Sequence, residues 1–419
     1  MVNRKPQLTG VRATALCIGD GETPPILDGA LVLDSAGFIR AVGPAQELQA
    51  SFAGVEFEPH SAVLMPGLVN AHTHLELSAL RGQVPGGRGF VPWLRALREH
   101  SRPELDGEAI DAAVSALLRH GTALVGEVSN TLATVPFLAT APFYACVFHE
   151  LIGVASATVS AIEEGARLAE KRLGTLPDNV AYRRTPHTLF SMHPRLIAGV
   201  LDDARTLGQR VSLHLAEHAA ERAMIERGDG PMVDFIREAG LNWDWPVPGR
   251  SPVHYAEQLG ALGPDVIAVH LTDVRADELA LVVKYGSPVV LCPRSNLHIE
   301  VRLPPLQALL EAGIKPGLGT DSLASCPTLD VLDDARALAQ RFPTVKARTL
   351  LAMATGYGAS ALGMADRFGR LAAGLGPGVL AFPHGATPPA DPEAFVLAQR
   401  GPEDRHWLQM PALAPRQED

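Results

Sequence analysis

Between residues 63 and 365 the chain repeats one pattern eight times: an apolar, strand-like run that closes in polar residues, then a helical pattern. SAVLMPGLVNAHTH leads to GFVPWLRALREH and DGEAIDAAVSALLRHG, ALVGEVSN to TLATVPFLATA, and FYACVFHELIG to SATVSAIEEGARLAEKRLG. The other five units open on VAYRRTPHTLF, RVSLHLAE, VIAVHLTD, PVVLCPRSN and IKPGLGTDS. Strands that alternate with helices pair in parallel, because the helix carries the chain back to the starting edge. Eight such units specify an α/β fold, the (β/α)8 or TIM barrel, whose chemistry gathers at the C-terminal ends of the strands. The two ends of the chain differ. Residues 1–62 and 366–419 hold short β-type runs broken by Gly and Asp, such as GALVLDSAGFIRAVG and GPGVLAFPHG. They are expected to form one sheet domain built from both termini.

Composition narrows the function. A net charge of −10 argues against nucleic acid or an anionic membrane as the main partner. No apolar run reaches the ~18 residues that a membrane span needs. The N-terminus lacks the apolar core of a signal peptide. Cys17, Cys146, Cys292 and Cys326 form no C-x-x-C pair and read as reduced thiols in a cytoplasmic protein.

The ionisable residues at the strand ends carry the functional signal. The first unit ends in His72 and His74, which alternation places on one side of an extended segment. The fifth supplies His214 and, three residues on, Glu217; the sixth supplies His270 and the eighth Asp321. In a barrel these ends face one cavity. Imidazole and carboxylate donors together suit Zn2+ or Fe2+. Rival strings fall away. His149–Glu150 lacks the second histidine of H-E-x-x-H, since Gly153 stands there. HLAEH, residues 214–218, matches the inverted zincin string, which needs a helix, but His214 closes a strand-like run. His218 is therefore expected to open the next helix. No G-x-S-x-G or phosphate loop is present, and Cys292 and Cys326 read as packing residues.

PGLVNAHTHLE, HLAE, AVH and GTDS, in this order, resemble the metal-dependent amidohydrolase superfamily and, within it, the nucleoside deaminase branch. The resemblance covers almost the whole chain and implies a small β-sandwich built from both termini beside the barrel. Binuclear members carry a lysine at the end of the fourth strand. VAYRRTPHTLF has none, which implies one divalent metal ion. By this likeness His72, His74, His214 and Asp321 hold the metal, and Glu217, His270 and Asp321 are catalytic. His187 and Trp93 resemble residues that the branch sets against its nucleoside substrate. In LCPRSNLHI a small residue commonly precedes Ser295–Asn296, and Arg294 stands there instead. Arg294 and Asn296 are expected to meet the substrate, with the guanidinium gripping a carboxylate. Together with GTDSLASCPTLDVLDDARAL this resembles deaminases of 6-amino-6-deoxyfutalosine, which form futalosine on a route to menaquinone. Deamination of S-adenosylhomocysteine, methylthioadenosine or adenosine stays open, as does hydrolysis of guanine, cytosine or a chlorotriazine. A scaffold without catalysis is opposed by the intact Glu217, His270 and Asp321. Barrels of this kind often associate, so a homo-oligomer is a further expectation. The usual C-terminal signature has Asp where this chain has Gly378, for which a local structural effect is expected.

Overall fold

The apolar runs become strands because each is buried along its length, and the intervening segments become helices with one buried stripe. The computed structural model describes residues 7–101 and 106–413. Its strands are β1 (Leu8–Leu16), β2 (Ile26–Asp34), β3 (Ile39–Pro44), β4 (Phe57–Pro66), β5 (Leu68–Thr73), β6 (Thr122–Ser129) and β7 (Tyr144–Leu151). They continue as β8 (Val180–Pro186), β9 (Val211–Leu215), β10 (Val266–His270), β11 (Val289–Leu291), β12 (Gly317–Leu318), β13 (Val379–Pro383) and β14 (His406–Gln409).

Strands β5 to β12 are the eight expected ones. They run parallel in two four-stranded sheets, β5-β6-β7-β8 and β12-β11-β10-β9. Single bridges, Thr73 with Asp321 and Thr188 with His214, join the sheets at both seams, giving a barrel-like α/β arrangement. The seams matter for function, because each carries a site residue. Leu213, Leu215, Leu291 and Leu318 pack with the surrounding helices into the main core.

The termini form one six-stranded sheet, β14-β13-β4-β1-β2-β3. A second sheet, which the implied sandwich would add, is not seen among the described residues. Val63, Met65, Leu380 and Phe382 face the main core. Ala30 and Val32 are covered by the short helix Ala45–Ser51. On the other face Leu31, Leu33, Leu64 and Val379 cluster with Ile39 and Leu371. The apolar run 62–75 splits between the two domains: β4 reaches Pro66 in the terminal sheet, so the barrel opens at Leu68 and not at 63. Residues 1–6 and 414–419 of the expected terminal domain lie outside the described residues. Gly378 has φ +71, and a Cβ there would lie 2.7 Å from Trp407, so an aspartate would strain this turn. Among the described residues, no helix is long and apolar enough to cross a membrane.

The C-terminal segment is tied to the barrel by a buried ion pair. Arg405, before β14, meets Asp330, which also caps the helix Val331–Arg341 by accepting from Leu332 N at 3.1 Å. Removing one partner strands the other charge in the core. Asp330→Ala is expected to lower the unfolding free energy by about 3–5 kcal/mol, measured by urea denaturation. A loss under about 0.5 kcal/mol, the scale of ordinary surface substitutions, would refute this anchoring.

Candidate active site

His72 and His74 lie at the C-terminal end of β5, and His214 lies in β9. The Nε2 atom of His74 is 3.2 Å from Nε2 of His72 and 3.3 Å from Nε2 of His214. His214 donates its Nδ1–H to the carbonyl oxygen of His187 at 3.0 Å, so its Nε2 presents a lone pair to the other two rings. Burial holds all three imidazoles below their ordinary pKa, His72 furthest, which keeps them neutral. His74 Nε2 carries at most one hydrogen and cannot donate to both neighbours. A cation at the centre resolves this. Nitrogens bonded at about 2.0–2.1 Å in tetrahedral geometry stand roughly 3.3–3.4 Å apart, which the observed spacing matches.

Asp321 arrives from the opposite seam. Its Oδ1 is 3.7 Å from His74 Nε2, and its Oδ2 accepts from Ser295 Oγ at 2.6 Å. The seam is drawn tight by Gly319, where a Cβ would lie 2.6 Å from the Cβ of His72. Asn70 reads the next residue: its Oδ1 accepts from Thr320 N at 3.0 Å and its Nδ2 donates to Thr320 Oγ1 at 2.8 Å. The GTD and NAH strings are therefore complementary halves of one joint.

Glu217 and His270 flank this cluster, with Oε1 and Nε2 3.7 Å apart. Burial, reinforced by the carboxylates of Asp321, Glu221 and Glu300, raises the Glu217 carboxyl well above its usual range, which favours its protonated form. His270 is driven to the neutral form, chiefly by burial. Glu221 fixes the Glu217 backbone, accepting from Ala216 N at 3.2 Å and Glu217 N at 2.8 Å. His218 opens the helix Ala219–Arg227, accepting from Glu221 N at 2.9 Å through Nδ1. Ala216, His270, Leu271 and Asp321 all have positive φ, between 47° and 77°. Each such residue costs about 1–3 kcal/mol and persists only where its surroundings over-determine it. Glycine would relieve the strain but could not supply an imidazole or a carboxylate.

These groups floor a cavity of about 450 Å³ whose walls are mainly apolar. Trp93 and His187 line it. His187 Nδ1 is tied to Ser191 Oγ at 2.7 Å, and burial lowers its pKa to about 4. Two expected substrate residues do not line it. Arg294 is buried and its donors are taken: Nε by Asp334 at 2.9 Å, Nη1 by Thr328 Oγ1 at 2.7 Å, Nη2 by the Thr328 carbonyl at 2.9 Å. The salt bridges with Asp333 and Asp334 leave no donor for a ligand carboxylate. Asn296 is fully buried behind His270, with Nδ2 3.3 Å from Nδ1 of that ring, so it orients the imidazole and not a substrate.

Sequence reasoning missed two buried carboxylates. Glu127 in β6 accepts from Thr73 Oγ1 at 2.7 Å and from Leu75 N at 3.1 Å, clamping both sides of His74. Glu150 in β7 stands with Oε1 3.5 Å from His214 Nδ1, and its Oε2 accepts from Asn130 at 2.9 Å. Both are the lone acids of otherwise uncharged strand runs, TALVGEVS and YACVFHEL, which was the available signal.

Comparison with known proteins agrees with this geometry. The model of the amidohydrolase family matches residues 63–382. An aminodeoxyfutalosine deaminase of Deinococcus radiodurans is 29% identical over 78% of this chain and 79% of its own. A 5-methylthioadenosine/S-adenosylhomocysteine deaminase of Syntrophobacter fumaroxidans is 29% identical over 81% of this chain and 76% of its own. The crystal structure of an adenosine deaminase from Xanthomonas campestris with bound zinc superposes with a TM-score of 0.78 at 25% identity, covering 95% of this chain and 90% of that one.

Arg294→Met exposes the structural role of that side chain. It is expected to cost about 3–5 kcal/mol of stability by leaving Asp334 buried and unpaired, read as a fall in the urea midpoint. Unchanged stability would show that the pair is dispensable and reopen Arg294 as a ligand.

Proposed function

The chain belongs to the amidohydrolase family, and on that premise we propose that it is a metal-dependent deaminase of adenine nucleosides. One observation carries the reading: the Glu217 carboxyl stands 3.7 Å from the His270 ring, beside three converging imidazoles, at the floor of a mainly apolar cavity. His72, His74, His214 and Asp321 would hold one divalent cation, with Zn2+ favoured by three nitrogens and one oxygen. Such a cation supplies a nucleophile by lowering the pKa of water.

The protein's own groups do the rest. Glu217 delivers its proton to a ring nitrogen of the base, which makes the adjacent amino-bearing carbon electrophilic; as the carbon–nitrogen bond breaks, Asp321 hands the proton it took from water to the amine, which leaves as ammonia, and Glu217 recovers a proton from the added hydroxyl as the carbonyl forms. Asp321, its pKa raised chiefly by burial, accepts the proton released by the attacking water. His270, oriented by Asn296, hydrogen-bonds the nucleophile and aims it. His187 presents its untied Nε2 to the nucleoside, and Trp93 offers a flat face to it. The apolar walls exclude bulk water and strengthen these electrostatic interactions.

The preferred substrate in this reading is 6-amino-6-deoxyfutalosine, giving futalosine and ammonia. A second reading, methylthioadenosine, whose 5′ group is uncharged, is favoured by the apolar walls and by the loss of Arg294 as a carboxylate partner, and S-adenosylhomocysteine stands beside it. Both place the protein where its substrates are, in the cytoplasm.

An ammonia-release screen of the purified protein against adenosine, methylthioadenosine, S-adenosylhomocysteine and 6-amino-6-deoxyfutalosine tests the reading, with guanine and cytosine alongside. Release from a 5′-substituted adenosine is expected, and release only from guanine or cytosine would overturn it. Chelation should abolish turnover, and Zn2+ or Fe2+ should restore it; full activity in a metal-free sample would remove the cation from the account. Glu217→Gln should retain metal yet lose turnover by ~10²-fold or more. Undiminished turnover would assign the proton transfer to another group.

A further inference from the structure

The cavity is chemically lopsided. Its carboxylates, Glu150, Glu217 and Asp321, sit with the histidines, whereas Arg98 is the one cationic side chain among the described residues that line it. Arg98 belongs to the helix Phe90–His100, which also supplies Trp93, Leu94 and Leu97 to the wall. The Arg98 guanidinium lies over the ring of Phe235, 5.3 Å from its centroid, and Arg95 lies 5.9 Å from the same centroid. The two cations differ in occupation. Arg95 is engaged by Glu238 at 2.6 Å and does not line the cavity. Arg98 has no carboxylate partner among the described residues and is exposed.

We propose that Arg98 is a specificity-determining residue that receives an anionic group, a carboxylate, at the far end of the substrate's 5′ substituent. The inference rests on the nucleoside deaminase reading above and deepens it. A cation on an aromatic face is held in place without surrendering its in-plane donors, so the planar fork stays available for a bidentate carboxylate. Apolar walls suit a bulky uncharged body, aryl or alkyl, between the ribose and that terminus. Arg98 is the one cationic side chain among the described residues of the lining, so a nucleoside whose base lies at Glu217 can pair an anionic tail only there. The same charge distribution that grips the substrate therefore orients it. This assigns to Arg98 the role that the buried Arg294 cannot perform.

The test compares two probes on the full-length, metal-loaded protein: 5′-deoxy-5′-(phenylthio)adenosine and its meta-carboxyphenyl analogue. The wild type should favour the carboxylated probe by about tenfold in kcat/KM, a factor worth ~1.4 kcal/mol. Arg98→Met should bring the ratio close to one, with the change falling in KM of the carboxylated probe. Arg95→Met, which removes the neighbouring but occupied cation, should preserve the preference. Equal kcat/KM for the two probes in the wild type, or an undiminished preference in Arg98→Met, overturns the assignment. If the neutral probe is deaminated and no preference exists, only the role of Arg98 fails. If neither probe releases ammonia, the nucleoside reading fails with it.

Discussion

Three imidazole nitrogens aimed at one buried point are the constraint around which the rest is arranged. His74 Nε2 lies 3.2–3.3 Å from two other ring nitrogens and carries at most one hydrogen, so hydrogen bonds alone cannot satisfy both contacts, whereas a cation between the rings can. The fold holds them there by surrounding each with a fixed partner. Glu127 clamps the residues on both sides of His74, the His187 carbonyl fixes the tautomer of His214, and the joint between Asn70 and Thr320 sets Asp321 against His72. Outer-shell groups of this kind decide which nitrogen faces a metal and how basic it is. Four strained residues, Ala216, His270, Leu271 and Asp321, mark where the backbone bends to bring the strand ends together.

Burial, which makes the imidazoles ligands, also makes Glu217 an acid. The same dry floor lowers the histidines and raises the carboxyl, which favours neutral donor nitrogens and a protonated acid within one cavity. Opposite shifts on neighbouring titratable groups separate the roles of ligand and proton carrier. Away from the floor the cavity turns apolar and ends at a cation. Arg98, the one cationic lining side chain among the described residues, gives the site a direction, which a nucleoside with a charged tail would follow.

Much of the barrel is legible in the sequence because its strands are buried on both faces and stand out as apolar runs between amphipathic helices. His72, His74, His214, His270 and Asp321 are legible for the same reason: polar residues at the ends of such runs are costly and conspicuous. What fails to show is which residue faces which. SAVLMPGLVNAHTH reads as one strand, although it divides at Gly67 between two sheets, because periodicity does not report a change of partner. Arg294 lies beside the right strand, but Asp333 and Asp334, about forty residues later, take its donors. Asn296 turns toward His270 and not the cavity. The strand runs of both termini announce a shared sheet, but not that all six of its strands join in one sheet, in the order β14-β13-β4-β1-β2-β3.

The central claim is that a single divalent cation occupies the point where His72, His74, His214 and Asp321 meet. Crystallography of the zinc-loaded protein, with anomalous data collected on both sides of the metal edge, measures this directly. The account predicts one anomalous peak about 2.0–2.2 Å from a ring nitrogen of each histidine and from an oxygen of Asp321. Two peaks in the cavity, or one peak bound elsewhere, such as at the neighbouring cluster of His72, His270 and Cys292, would contradict it.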